Sequence, residues 1–264
     1  MAFAALALRY GPARGAAEFR AKTLMRCQAM FVPLLLTLSA CSQLTYTIPI
    51  VDKSGPASPL AISGTASFTE LTTGESVASS SNFKLEARNV SGKSIILLLV
   101  SFDEAAPHGP ENHHDLQVDH FFWGEIAPGK SFLLARGRSR KQVSALRRDS
   151  AEPADEPRAE VRVQYVQFED GSTFGDEAAA KEAVDLRPVI LEVLRRLDTA
   201  YNNKEFLTLL KQKVQPDDAD RFLAIFRESQ KKYGTPAARA QVHRGRIVAE
   251  GRVPAVRAVQ MVQK

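Results

Sequence analysis

The chain has 264 residues, of which 44% are hydrophobic and 25% are charged, a balance typical of a globular protein with a buried core. Its formal net charge is +5, but residues 1–40 hold five basic side chains and one acidic one, so residues 41–264 carry only +1. This nearly neutral remainder gives no charge argument for nucleic-acid binding. With two cysteines, Cys27 and Cys41, a four-cysteine zinc site is excluded.

The first 41 residues have the pattern of an export signal. Basic side chains between residues 20 and 26 precede the apolar run 30–38, and small residues follow. The pattern ends in Leu38-Ser39-Ala40-Cys41, which resembles the lipobox of bacterial lipoprotein precursors. The resemblance implies that residues 1–40 are removed as a signal peptide and that Cys41 is lipidated. It also implies a lipid-anchored, extracytoplasmic protein of the cell envelope, on the inner face of the outer membrane if the host has two membranes.

The length of the signal leaves two alternatives for the true start. Counted from Met1, it exceeds the usual range of roughly 15–30 residues, whereas a start at Met25 falls within that range. Residues 1–24 are then either a misassigned start or part of a long leader. Once the leader is removed and Cys41 is acylated, the rest of the chain has no free thiol, no disulfide and no cysteine-containing zinc site.

Residues 41–59 are rich in Ser, Pro and Gly after an apolar segment, and they predict a tether. Residues 60–175 predict β-structure, because short runs of Val, Ile, Phe and Leu alternate with turn residues. The predicted strands are 61–71, 82–89, 94–102, 117–125, 131–136 and 158–169, with a return strand at 172–174. Apolar and charged residues alternate over 83–88, which predicts one solvated face, while 95–100 is apolar on both faces and predicts a central strand.

This strand pattern predicts a mainly β protein, with an antiparallel two-sheet β-sandwich followed by a small helical region. The corner Asn89-Val90-Ser91-Gly92-Lys93 runs into a hydrophobic strand, and a Pro-Gly turn follows later. These features resemble immunoglobulin-like and fibronectin-like envelope modules over about half of the chain. The resemblance implies a fold and not a function.

Residues 176–234 change to helical periodicity. Asp176 is positioned to cap a helix through Val184, and Pro188 predicts the start of a second helix because proline cannot continue the first. Two more short helices are predicted around 206–210 and 216–233. The basic segment 235–264 is predicted to be only partly ordered.

Gly124–Ser131 matches the P-loop pattern, and Asp103-Glu104 ends an apolar strand in the manner of a Walker B segment. The context argues against a nucleotide site, because an apolar strand pattern, and not a helix, follows Ser131. Pro128 also removes a backbone N–H that the phosphate would need. A type II turn over Ala127-Pro128-Gly129-Lys130 explains the same residues.

A histidine-rich segment supplies the alternative function. Within residues 103–120, four histidines lie among five acidic residues, a ligand chemistry that suits zinc, copper or nickel. The spacing fits no standard site, and a solvated polar loop between strands is the favoured explanation. If a divalent transition metal binds, the candidate ligands are His108, His114, His120, Asp115 and Asp119.

Hydrolase motifs and a thiol nucleophile are absent from residues 42–264, so the sequence predicts no catalytic residues and no cofactor. The basic run Arg136–Arg148 is either a contact for anionic lipid or a polar loop balanced by the acidic segment that follows. Phe121-Phe122-Trp123 is predicted to be mostly core. We therefore predict a non-enzymatic binding or assembly module, held by its lipid anchor and partnered by another envelope protein, with metal binding through 108–120 as the alternative and a nucleotide hydrolase a distant third.

Overall fold

The structure is a computed structural model that describes residues 42–73, 76–107, 111–138, 142–145 and 156–262. The predicted leader, Cys41 and His108 lie outside these residues. Within these ranges the chain forms strands first and helices second. The strands are β1 (Ser42–Pro49), β2 (Val51–Asp52), β3 (Leu60–Thr73), β4 (Ser76–Asn89), β5 (Ile95–Ala105), β6 (Glu111–Asp119), β7 (Ser131–Arg138), β8 (Gln142–Ala145), β9 (Arg158–Phe168) and β10 (Thr173–Gly175). The helices are α1 (Glu177–Asp198), α2 (Asn203–Lys211), α3 (Asp217–Tyr233) and α4 (Thr235–Val262).

The strands form two antiparallel-rich sheets, so the protein is mixed α and β. The first sheet has the order β1-β3-β4-β7, with β8 also paired to β4. The second has the order β10-β9-β5-β6, with the short β2 parallel to β9. The start of β1 lies beside the β3–β4 hairpin, because Ser42 pairs with Thr72. The β5–β6 hairpin turns toward the same end, since Glu104 near the end of β5 accepts a hydrogen bond from Ser81 of β4.

One apolar core fills the space between the two sheets. Along β4 buried and exposed residues alternate, with Phe83, Leu85 and Ala87 buried, as the sequence predicts. The Phe83 ring lies 4.7 Å, centroid to centroid, from that of Phe102 on the second sheet. The contact shows that side chains of both sheets meet in a single layer.

The helices cover the outer face and one end of the second sheet. The first half of α1 packs Ala180 and Ala183 on Leu97 and Tyr165 of that face. Its second half joins the other helices around Ile96, at the start of β5. β5 is therefore covered on both faces, which confirms the predicted central strand. Among the described residues, no helix is long and apolar enough to cross a bilayer.

The predicted strand 117–125 is wrong beyond Asp119. The Asp119 carboxylate accepts a hydrogen bond from the Phe121 N–H at 2.8 Å, and the Trp123 N–H donates to the His120 carbonyl at 2.9 Å, so the chain turns there. The aromatic side chains consequently lie under the helices. Their predicted core role is confirmed, since Phe121 and Phe122 are 3% and 2% exposed.

Two segments are more ordered than the sequence suggests. In the predicted tether 41–59, β1 pairs with β3 along all eight of its residues, because Tyr46 and Ile48 pack on the core. The predicted partly ordered tail forms the long helix α4. Its buried face consists of small residues that give a weak periodic signal, such as Ala238, Val242 and Ala249.

The prediction that a new helix starts at Pro188 is wrong, because α1 is continuous from Glu177 to Asp198. The predicted cap is confirmed, with the Asp176 side chain accepting a hydrogen bond from the Ala178 N–H. A proline inside a helix removes one hydrogen bond and costs about 3 kcal/mol. Burial on both sides of Pro188, from Ala180 to Leu197, offsets this cost and keeps the helix continuous.

We expect Pro188→Ala to raise the free energy of unfolding by about 2 kcal/mol. The exposed alanine would restore the missing backbone hydrogen bond, while the unfolded chain would regain some conformational freedom. Urea denaturation followed by circular dichroism measures the change. A destabilised variant would contradict this account of α1.

Candidate functional site

Strand β6 carries the histidines that the sequence singles out, and its two-residue periodicity separates them. His113 and Asp115 lie on the solvent face, where Nδ1 of His113 is 2.5 Å from Oδ1 of Asp103 and Nε2 is 3.0 Å from Oδ1 of Asp115. The hydrogen bond with Asp103 raises the pKa of His113 above its ordinary value of 6.5, and Asp115 adds to the effect. Two carboxylates thus bracket one exposed imidazole.

His114 faces the opposite way, into the layer between the sheets. Its ring packs against Phe83 and Phe102, at centroid distances of 5.2 and 5.6 Å. Its Nε2 lies 3.3 Å from Oε1 of Glu104. The Ser81 hydroxyl donates to the same oxygen at 2.5 Å.

Glu104 is the most unusual side chain of this group. It is fully buried, and its second oxygen, Oε2, has no hydrogen-bond partner among the described residues. The neighbouring core positions of the first sheet are also polar, with Glu70, Ser79 and Ser81 all buried. The layer between the sheets therefore changes from apolar to polar at its hairpin end. An unpaired buried oxygen is costly, so it lowers the stability of this end of the layer.

Asp119 and His120 lie at the other end of β6. Asp119 accepts two hydrogen bonds of 3.2 Å from the guanidinium of Arg187, a buried residue of α1. His120 donates its backbone N–H to the Ile96 carbonyl at 2.7 Å. Burial lowers the pKa of His120 below 6.5, with Asp119 and Arg252 acting in opposite directions.

The four predicted metal ligands that the structure describes are therefore not brought together. His114 and His120 are six residues apart, about 20 Å along an extended chain. Asp115 points to the other face of the sheet and Asp119 is bound to Arg187. Over the residues that the structure describes, no three His, Cys, Asp or Glu side chains are arranged to hold a metal ion.

The P-loop-like segment forms the predicted turn. Gly129 has φ of 74°, and the Lys130 N–H donates to the Ala127 carbonyl at 3.1 Å, which is the hydrogen bond of a type II turn. Ser131 then begins strand β7 where a nucleotide site needs a helix. The nucleotide-hydrolase interpretation is dropped on this geometry.

Two buried arginines that sequence reasoning missed join the helices to the sheets. Arg187 reaches Asp119 and also donates to Oε1 of Gln167 at 2.6 Å. Arg252 of α4 donates to the carbonyls of His120 and Phe121 at 2.8 and 2.9 Å. The only sequence signal for either is a charged residue at an apolar position of a helical period.

The comparisons with known proteins add no family to this description. No protein-family model, no curated protein and no solved structure matches this chain.

The two histidines should titrate on opposite sides of their ordinary pKa. In an NMR titration we expect a midpoint above 6.5 for His113 and below 6.5 for His120. The raised pKa of His113 gives stability that is complete below 6.5 and is lost as pH rises through the folded-state value. The lowered pKa of His120 works in reverse, so stability falls as pH drops below 6.5.

Asp103→Asn provides the control for this titration. It removes the charged acceptor of His113, so the His113 midpoint should fall toward 6.5 while the His120 midpoint stays in place. Equal midpoints for the two histidines in the unmodified protein would contradict the assignment.

Proposed function

We propose that this protein is a lipid-anchored protein of the cell envelope and acts as a non-catalytic binding or assembly module. The observation that carries the proposal is the position of the lipobox-like Leu38–Cys41 relative to the folded body. Strand β1 begins at Ser42, the residue directly after the cysteine. All the described strands and helices lie after the cysteine, so cleavage before Cys41 would remove none of them.

We also propose that the two sheets form an immunoglobulin-like sandwich. If β3, β4, β5, β6, β7, β9 and β10 are named A, B, C, C′, E, F and G, the sheets have the orders A-B-E and G-F-C-C′. These are the neighbours that immunoglobulin-like sandwiches have. β1 is then an additional strand beside A. The shared apolar layer between the sheets supports the same fold.

A binding role is supported by the free edge of the first sheet. β1 is an eight-residue strand whose only pairing partner among the described residues is β3, so its outer edge offers backbone groups to another strand. Leu44, on this strand, is 50% exposed and supplies an apolar contact. Another envelope protein that adds an extended segment suits this edge.

The decisive experiment compares the native protein with Cys41→Ser and Cys27→Ser. We expect mass spectrometry of the native protein to find an N-terminus at Cys41 that carries acyl chains, and membrane fractionation to recover it with the membranes. Cys41→Ser should lose both properties. Cys27→Ser is the matched control and should keep both, because its cysteine lies within the leader. An unmodified Cys41 with an intact leader would overturn the proposal.

A further inference from the structure

The start of β1 lies in an end row of the first sheet. Ser42 pairs with Thr72, Thr72 with Val77, and Val77 with Ser144, so these four residues form one row across four strands. Beyond this row the sheet contains only Thr73, Ser76 and Ala145. The residue before Ser42 is therefore attached at the edge of the body formed by the β3–β4 hairpin.

Strand β1 is paired along its whole length. Every residue of β1 is in register with β3, from Ser42 opposite Thr72 to Pro49 opposite Thr65. Cys41 is the residue directly before Ser42. An acyl group on Cys41 would thus be attached one residue from a paired strand.

The helices lie at the opposite end of the sheets. β4 runs from Ser76 at the anchor end to Asn89, and Asn89 pairs with Leu60 at the far end of β3. Fourteen residues of strand span about 45 Å. At this far end of the second sheet, Ile96, Phe121 and Phe122 pack into the helical core.

We propose that the end of the body formed by the start of β1, the β3–β4 hairpin and the β5–β6 hairpin lies against the membrane surface, and that the helices project away from it. This inference rests on the proposed lipidation of Cys41 and adds the orientation of the body. The occupant of this end is a lipid headgroup layer. The exposed, described residues here include the polar Gln43 and Ser76, the apolar Leu44 and the Glu111–Arg158 ion pair. Such a mainly polar surface suits the headgroup layer better than the acyl region.

The orientation leaves the helical end free for a partner. It places the helical core around Ile96 at the far end of the sheets, away from the headgroups. It also places the buried Glu104 and Ser81 at the membrane-proximal end, since Glu104 pairs with Asn112 near the β5–β6 hairpin.

The two ends of β4 provide a matched pair of probe positions. Ser76→Cys lies at the anchor end, and Val90→Cys, one residue past the strand, lies at the far end. Both side chains are exposed. Cys27 is removed with the leader and the Cys41 sulfur is blocked by lipid, so a thiol-reactive fluorophore would label only the introduced cysteine.

The labelled, full-length lipoproteins are reconstituted in vesicles of phosphatidylethanolamine and phosphatidylglycerol that contain a lipid with a nitroxide headgroup. Nitroxide quenching acts over a distance much shorter than β4. We expect a severalfold loss of fluorescence at position 76 and none at position 90. Gln43→Cys and Arg88→Cys form a second near and far pair, in case one variant folds poorly.

The outcomes separate the two proposals. Mass spectrometry of the same samples shows whether Cys41 is acylated. If it is not, the proposed lipid anchor fails and this orientation fails with it. If it is acylated and both ends are quenched equally, or the far end more strongly, the orientation alone is overturned.

Discussion

Arg187→Met is expected to lower the free energy of unfolding by about 3–5 kcal/mol. Arg187 is 5% exposed and donates to both carboxylate oxygens of Asp119 and to the Gln167 side chain. Its guanidinium carbon also lies 4.3 Å from the centroid of the Phe121 ring. Methionine fills much of the space but leaves Asp119 without its counter-charge and Gln167 without its donor. The loss of a partner to a nearly buried charge is what makes the effect large.

The measurement is urea denaturation, with Arg196→Met as the matched control. Arg196 lies on the same helix but is exposed, so its variant should stay within about 0.5 kcal/mol of the native protein. The double variant Arg187→Met with Asp119→Asn should recover part of the loss, because it removes the unpaired charge and keeps an oxygen acceptor for the Phe121 N–H. A loss below about 1 kcal/mol for Arg187→Met would show that Arg187 does not join the helices to the sheets.

Strands with one solvated face could be predicted from the sequence, because their apolar and charged residues alternate. Along β4 the charged Lys84 and Glu86 alternate with buried Phe83 and Leu85, so the residue type indicates on which face of the strand each side chain lies. The prediction failed where other forces decide. Continuous burial carries α1 through Pro188, and α4 buries alanines whose small side chains give little periodic signal.

The candidate site was harder to predict from the sequence than the strands, because its residues are neighbours only across strands. The two-residue period of β6 places His113 and His114 on opposite faces, and this separation could be predicted from the sequence. The position of Glu104 and Ser81 beside His114 could not be predicted, because that contact joins three strands of two sheets. A charged residue at a core position of β5 was the one available signal for Glu104.

The fold has two chemically different ends, and this difference bears on its function. At the far end, Arg187 and Arg252 bind the helices to the sheets through buried hydrogen bonds. At the hairpin end, the core contains a fully buried carboxylate, one oxygen of which has no hydrogen-bond partner among the described residues. A body fixed to a membrane by its hairpin end would leave its helical end exposed, so that this end is a second surface for recognition beside the proposed β1 edge.

Phe102→Ala should also lower the free energy of unfolding by about 3–5 kcal/mol. Phe102 is fully buried at the centre of the layer between the sheets, and its ring contacts Phe83 and His114. Truncation would leave a cavity between two sheets whose backbones are fixed by their ladders, so the space cannot close.

Denaturation measures this loss, and two variants calibrate it. Phe102→Leu keeps most of the volume and should cost about 1 kcal/mol. Tyr201→Ala removes an aromatic ring that is 92% exposed and should change stability by less than about 0.5 kcal/mol. The His114 ring is stacked on Phe102 with an interplanar angle of 22°, so its NMR signals should lose a ring-current shift in Phe102→Ala. Unchanged His114 signals and a loss below about 1 kcal/mol would contradict a shared core, because both follow from one contact between the sheets.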